Sequence, residues 1–251
     1  MSGTSPNSSS PEAAARLPLF YRDAQLLSSI DHASWRLKRG DASFASAAPA
    51  VPIVVGEFQA ALRNFPILFA QGGSEVGPIA LLGLEQANLF VKDGKWAEGA
   101  YVPAYVRRYP FGFMAHPQGF ALAIDVASER VAKGGEEGDA LFTGGEPSNV
   151  TKQALDFCHA YREEAATTAE FCRALRTQDL LTDRRADATL PSGHKVGIDG
   201  FQIVDAQKFA QLDDKHVLEW HRKGWLSLVH FHLASLERFE DLLARRSARD
   251  R

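Results

Sequence analysis

The residues best suited to binding chemistry lie in one segment, residues 96–113, which reads WAEGAYVPAYVRRYPFGF. It combines tyrosines with two prolines and the adjacent pair Arg107 and Arg108. A guanidinium is a planar fork of donors that matches a carboxylate, a phosphate or a peptide terminus. Because proline fixes the local backbone, the segment predicts a pre-formed pocket in which an arginine holds an anionic group.

Within that segment, five residues are the candidate ligand contacts. We expect Tyr101, Tyr105 and Tyr109 to supply flat contact surfaces, and one of Arg107 and Arg108 to hold the anion while the other points to solvent. The alternative is a buried aromatic connection whose arginines stack on rings or form internal ion pairs. The residues alone favour this structural interpretation, and the binding interpretation stays open as a testable one.

Histidines are the next candidates, because two of them stand in the pattern H-x-H. In a strand, His230 and His232 would point to the same side, and with a third ligand they could hold zinc or iron. The chain has no H-E-x-x-H or C-x-x-C motif. We therefore expect no metal and no other cofactor, and retain His230 and His232 only as the weakest of candidates.

Motifs for nucleophilic or nucleotide chemistry are also missing from the sequence. It contains no G-x-S-x-G, no G-x-G-x-x-G and no phosphate-binding loop. A non-catalytic binding or accessory protein is the leading interpretation. The alternative is an enzyme that modifies a peptide or a small molecule with Arg107, Arg108 and the histidines.

The elements that must position these residues change character near Gly144. Before it, apolar patterns predict mainly strands and one short helix at 56–64, with a tight turn at Asp93-Gly94. After it, helices dominate. We predict an α+β fold packed as one unit, with a disordered tail at 1–16 and a single domain at 17–246. The individual predictions are strands at 67–70, 79–84, 196–204 and 226–233, two strands flanking residues 116–119, an ambiguous, strand-like stretch at 26–37, and helices starting at Ser148, Thr167, Asp214 and Ser235.

Composition limits the class of protein. Hydrophobic residues make up 45% and charged residues 24% of the 251, which are globular values. The net charge of -3 argues against a nucleic-acid partner. The two cysteines, Cys158 and Cys172, are expected to be reduced core thiols. Without an apolar run of ~18 residues or a secretory signal, we expect no membrane span and a cytoplasmic location, with signal-less export left open.

The chain resembles the SapC family of bacterial proteins, which is linked to surface-array (S-layer) genes; it does not resemble the peptide-transporter permease of the same name. The resemblance implies an accessory role associated with cell-surface components or uptake, and a protein or small-molecule partner, but no catalytic residue set. It covers about residues 17–243. The matching pieces, in order, are His32, residues 51–53, 57–58, 65–67 and 88–90, Trp96, residues 101–111, 140–142, 200–201, 224–226 and 232–236.

Overall fold

A computed structural model describes residues 17–72, 75–190 and 193–249. The tail predicted at 1–16 lies outside the described residues. The strands are β1 (Ala24–Leu26), β2 (Arg36–Leu37), β3 (Ala50–Pro52), β4 (Ile67–Gly72), β5 (Glu75–Leu81), β6 (Val91–Lys92), β7 (Lys95–Trp96), β8 (Phe111–His116), β9 (Gly119–Asp125), β10 (Val131–Ala132), β11 (Asp139–Ala140), β12 (Phe142–Thr143), β13 (Glu146–Pro147), β14 (Leu181–Thr189) and β15 (Lys195–Val204). The helices are α1 (Phe58–Ala61), α2 (Ala104–Arg107), α3 (Asn149–Thr177), α4 (Ala206–Ala210), α5 (Asp214–Arg222), α6 (Trp225–Ser235) and α7 (Arg238–Arg249).

A five-stranded antiparallel sheet in the order β14-β15-β4-β5-β3 lies against the larger hydrophobic core. Its strand β4 is the apolar run predicted from sequence, and Ile67, Leu68 and Phe69 are fully buried. The core combines these side chains with others from much later in the chain, such as Phe171 of α3 and Trp220 of α5. The fold is therefore α+β, as the sequence predicts, and elements from both parts of the chain share one core.

A smaller antiparallel sheet, β1-β9-β8, covers a second hydrophobic cluster. The cluster includes Phe111 and Ile124 from the two predicted strands around residues 116–119, which are confirmed as β8 and β9. Helix α3 joins the two clusters, because Cys158 packs in the smaller one and Phe171 in the larger. The segment 101–110 leads directly into β8, and its Tyr105 packs against Tyr161 of α3.

The hairpin predicted at Asp93-Gly94 is also confirmed. Strand β6 pairs with β7, and the two turn residues have φ values of 51° and 73°. Both angles lie in the left-handed region that a type I′ turn requires at its two central positions, where Asp and Gly are among the favoured residues.

Two predicted elements are wrong. Thr167 does not start a second helix, since α3 runs without a break from Asn149 to Thr177. The hydroxyl of Thr167 instead donates back to the carbonyl of Glu163 one turn earlier, at 3.3 Å. This is the other common use of a threonine hydroxyl in a helix.

The apolar run at 226–233 forms helix α6 and not a strand. Its buried residues, Trp225, Val229, His232 and Ser235, recur at intervals of three and four and so line one helical face. A short apolar run cannot be assigned to strand or helix by periodicity alone. In the fold, this run is a helix that packs against β4 and β15.

Several boundaries also shift. Asp213, and not Asp214, caps α5 by accepting a hydrogen bond from the His216 amide at 3.0 Å. The last helix begins at Arg238, and the ambiguous stretch 26–37 contains only the end of β1 and the short β2. Strand β14 was not predicted, because its sequence LTDRRADAT is largely charged and polar.

Candidate functional site

The arginine-bearing segment is held in place by a buried carboxylate. Glu57 is only 5% exposed. Its Oε1 accepts hydrogen bonds from the Ala104 amide (2.6 Å) and the Tyr101 hydroxyl (2.9 Å), and its Oε2 accepts one from the Val54 amide (2.9 Å). One acidic side chain therefore ties the turn before α1 to the start of α2 and fixes the position from which the arginines project.

Arg107 is exposed, and its guanidinium carbon lies 5.1 Å from the ring centre of Phe157 on α3. Its Nε donates to the Val102 carbonyl at 3.0 Å, and a terminal nitrogen donates to the Tyr101 hydroxyl at 3.2 Å. Burial, followed by the negative charge of Glu57, raises the pKa of Tyr101 to about 12, so its hydroxyl is neutral and able to donate. Arg107 and Tyr101 together form the outer end of the Glu57 network.

Arg108 points the other way, into a cluster of tyrosines. Its guanidinium carbon lies 4.2 Å from the ring centre of Tyr105, 4.6 Å from that of Tyr161 and 5.8 Å from that of Tyr21. Burial lowers the pKa of Arg108, but the surrounding phenol groups outweigh this effect and leave the pKa above its ordinary value. Arg108 is thus a charged group held mainly against aromatic faces.

Two features of Arg108 point to an unsatisfied site. Its Nε is buried and has no hydrogen-bond partner within residues 17–72, 75–190 and 193–249. No carboxylate in those ranges forms an ion pair with it. Since a desolvated charge is costly unless paired, an anion bound beside Arg108 would be stabilised.

Arg108 opens onto a groove of about 300 Å³ between α3 and the β8–β9 hairpin, which we call the Arg108 groove. A second arginine, Arg162, lies at its rim with its guanidinium carbon 3.9 Å from the ring centre of Phe120. Phe120 is 51% exposed, so part of its ring faces solvent at the groove. The residues lining the Arg108 groove are Arg108, Phe113, Phe120, Cys158, Tyr161, Arg162 and Ala165.

Tyr109 belongs to a different cavity, of about 270 Å³, which we call the Arg130 cavity. The Tyr109 hydroxyl donates to Asp125 at 2.8 Å, and its ring stacks on Phe44 at 4.2 Å between ring centres. Tyr105 lies beside Arg108 and donates its hydroxyl to the Leu19 carbonyl at 3.1 Å. The residues lining the Arg130 cavity are Phe20, Arg22, Asp41, Ser43, Phe44, Tyr109, Ser128, Glu129 and Arg130.

The five predicted contact residues are therefore divided among three environments. Tyr105 and Arg108 lie together, Tyr101 and Arg107 belong to the Glu57 network, and Tyr109 lines the Arg130 cavity. Sequence reasoning missed Arg162 as a site residue. The Tyr161-Arg162 pair repeats the aromatic–arginine combination of residues 101–109, and this repetition is the signal that could have identified it.

His230 and His232 do not form a pair. In helix α6 residues two apart point in different directions, and only His232 is buried. Its Nε2 accepts from the Val204 amide at 3.0 Å, and its Nδ1 donates to the Ile67 carbonyl at 2.8 Å. Burial lowers the pKa of His232 to about 4, so this ring is a neutral connector between α6 and the central sheet. Among the described residues, no group of three or more His, Cys, Asp or Glu side chains could hold a metal ion.

Both cysteines are free and buried. Burial raises the pKa of the Cys158 thiol to about 11 and that of Cys172 to about 12. Although Cys158 lines the Arg108 groove, its thiol is therefore protonated near neutral pH, and a protonated thiol is a poor nucleophile.

The fold and this site define an α+β protein with an arginine-bearing aromatic groove between a long helix and a β-hairpin. No helix in the described part of the chain is long and apolar enough to cross a membrane. The SapC family model matches residues 27–242, and the chain belongs to the SapC family. No curated protein and no solved structure matches the chain.

Proposed function

We propose that this SapC-family chain is a non-catalytic binding protein that holds an anionic ligand in the Arg108 groove. The observation that carries the proposal is Arg108 itself: a charged, largely buried guanidinium with an unpartnered Nε, placed at an aromatic groove. We further propose an accessory role for cell-surface components or uptake, which the family resemblance supports.

The groove also limits the form of the ligand. Phe113, Phe120 and Tyr161 offer ring surfaces, while Arg108 inside and Arg162 at the rim offer the two positive charges. An anion with a flat or apolar body would meet both requirements. Carboxylates and phosphates suit a guanidinium fork equally well. The proposed ligand is therefore an aromatic group that carries a planar or tetrahedral oxyanion.

Binding is favoured over catalysis by the state of two candidate reactive groups, one in the groove and one between α6 and the central sheet. The Cys158 thiol is protonated, and His232 uses both ring nitrogens in backbone hydrogen bonds. The enzyme alternative has one specific observation in its favour. The exposed ring of His159 lies 4.7 Å from that of Phe113, which lines the groove. If the chain is an enzyme, His159 is the acid or base to test.

The test is a calorimetric titration with phenyl phosphate, benzoate and inorganic phosphate as probes. Replacing Arg108 by Met should weaken binding of phenyl phosphate roughly 10- to 150-fold, the value of one charge-assisted hydrogen bond of ~1.5–3 kcal/mol. Arg108→Lys should recover only part of it, because Lys lacks the planar fork.

Arg107→Met is the matched control, since it removes an adjacent arginine that faces away from the groove. It should bind as the wild type does. Equal loss in both variants, or no saturable binding of any of the three probes to the wild type, would overturn the proposal. A His159→Asn variant that keeps ligand binding but abolishes a turnover detected with host extract would favour the enzyme instead.

A further inference from the structure

The Arg130 cavity brings together charges of both signs that form no direct ion pairs. Two guanidinium groups, those of Arg22 and Arg130, and two carboxylates, those of Asp41 and Glu129, line it. None of the four forms an ion pair with another side chain in the part of the chain that the structure describes. Arg22 and Arg130 each donate to a backbone carbonyl, and Asp41 accepts from a backbone amide. Charges of both signs therefore face one small space without a direct pair between a carboxylate and a guanidinium.

Arg130 is the innermost of these charges. A terminal nitrogen donates to the Tyr109 carbonyl at 2.6 Å, while its Nε is buried and has no hydrogen-bond partner among the described residues. The side chain lies against the backbone of Gly40, where an added Cβ would come within 2.9 Å of that Nε. The missing side chain at residue 40 thus leaves room for the guanidinium.

The inner wall of the cavity is aromatic. Phe44 stacks on Tyr109, and Phe20 packs edge-on against Phe44 at 5.1 Å between ring centres. Arg22, Asp41 and Glu129 are exposed at the rim, whereas Tyr109 is buried. A ring-shaped group would contact the inner wall, and charged groups would remain near the rim and Arg130.

We propose that the Arg130 cavity binds a small zwitterion that carries an aromatic ring, of the chemical class of an aromatic α-amino acid. The ligand carboxylate would pair with Arg22 and Arg130, and the ammonium group with Asp41 and Glu129. At about 270 Å³ the cavity lies just below the range typical of drug-sized ligands, which suits one amino acid better than a peptide. This site shares no lining residue with the Arg108 groove.

The test compares three probes of nearly the same shape by calorimetric titration of the full chain. L-Phenylalanine carries both charges, 3-phenylpropionate lacks the ammonium group and phenethylamine lacks the carboxylate. Only the first should bind at millimolar or lower concentration, and L-leucine should bind at least about tenfold more weakly than L-phenylalanine. Equal binding of 3-phenylpropionate, or of L-leucine, would overturn the proposal, as would no saturable binding of L-phenylalanine, L-tyrosine and L-tryptophan.

Two variants test the location of the site independently. Arg22→Met changes an exposed rim residue, and Gly40→Ala displaces Arg130 without removing it. Each should weaken L-phenylalanine binding at least about tenfold, the effect of losing one charge-assisted bond. Arg107→Met should leave it unchanged, because Arg107 is exposed and lines neither the Arg130 cavity nor the Arg108 groove. L-Phenylalanine binding that survives in Arg22→Met or in Gly40→Ala, or that is weakened equally in Arg107→Met, would contradict the assignment.

Discussion

Replacing Glu57 offers the sharpest test of how the arginine segment is positioned. This carboxylate accepts three hydrogen bonds, from Val54, Ala104 and Tyr101, and almost none of it reaches solvent. Glu57→Ala leaves two buried backbone donors, those of Val54 and Ala104, without an acceptor. The Tyr101 hydroxyl is half-exposed and can turn to water, so it adds less.

The magnitude follows from these two amides. A hydrogen bond to a charged group contributes about 1.5–3 kcal/mol, and each orphaned buried donor costs about 1–3 kcal/mol. We expect Glu57→Ala to lower the free energy of unfolding by about 3–5 kcal/mol, a large part of the 5–15 kcal/mol typical of a native protein. Glu57→Gln keeps one acceptor oxygen but places its amide NH2 against the second backbone donor. It should lower the free energy of unfolding by about 1–2 kcal/mol.

Urea unfolding followed by tryptophan fluorescence measures these differences. Glu164→Ala is the matched control, because the exposed Glu164 accepts a longer bond, 3.2 Å, from the neighbouring Gly56 amide. That variant should unfold close to the wild type. If Glu57→Ala lies within about 1 kcal/mol of the wild type, Glu57 does not hold this segment, and the positioning of Arg108 needs another explanation.

Three further predictions concern the scaffold. His232 has a folded-state pKa of about 4 against an ordinary value near 6.5, so its contribution to stability is complete above pH 6.5 and is lost as the pH falls toward 4. In urea unfolding, the free energy of unfolding of the wild type should therefore fall by about 3 kcal/mol more than that of His232→Gln between pH 7 and pH 4. Equal losses in the two proteins would contradict this. Cys158 and Cys172, with raised pKa values, should react with a thiol reagent at pH 8 only after unfolding in urea, and rapid reaction of the native protein would show that one is accessible as a thiolate. Limited proteolysis should cut within residues 1–16 first and leave 17–246 as one fragment, whereas two stable fragments divided near Gly144 would disprove a single domain.

Local patterns with one physical solution could be read from the sequence. Asp93-Gly94 specifies a tight turn because both positions need positive φ. The strand beginning at Ile67 is apolar and short, and the strands around residues 116–119 alternate. Ser148 caps α3 as its position before an apolar face predicts, with its hydroxyl oxygen accepting from the Thr151 amide.

Features that depend on distant partners could not be read in the same way. The run 226–233 is apolar in either a strand or a helix, and its packing against β4 and β15 involves residues far away in sequence. The Arg108 groove combines the segment 101–109 with Tyr161 and Arg162, more than fifty positions later. Sequence identified Arg107 and Arg108 together, but only the fold separates the solvent-facing arginine from the one at the groove.

Native mass spectrometry of the protein purified from its own host tests the central claim most directly. If Arg108 holds an anionic ligand, the wild type and Arg107→Met should retain the same small-molecule mass. Arg108→Met should lose this mass and still be folded at the temperature of the measurement. A ligand mass retained equally by all three proteins, or no bound small molecule on the wild type, would contradict the account of the Arg108 groove.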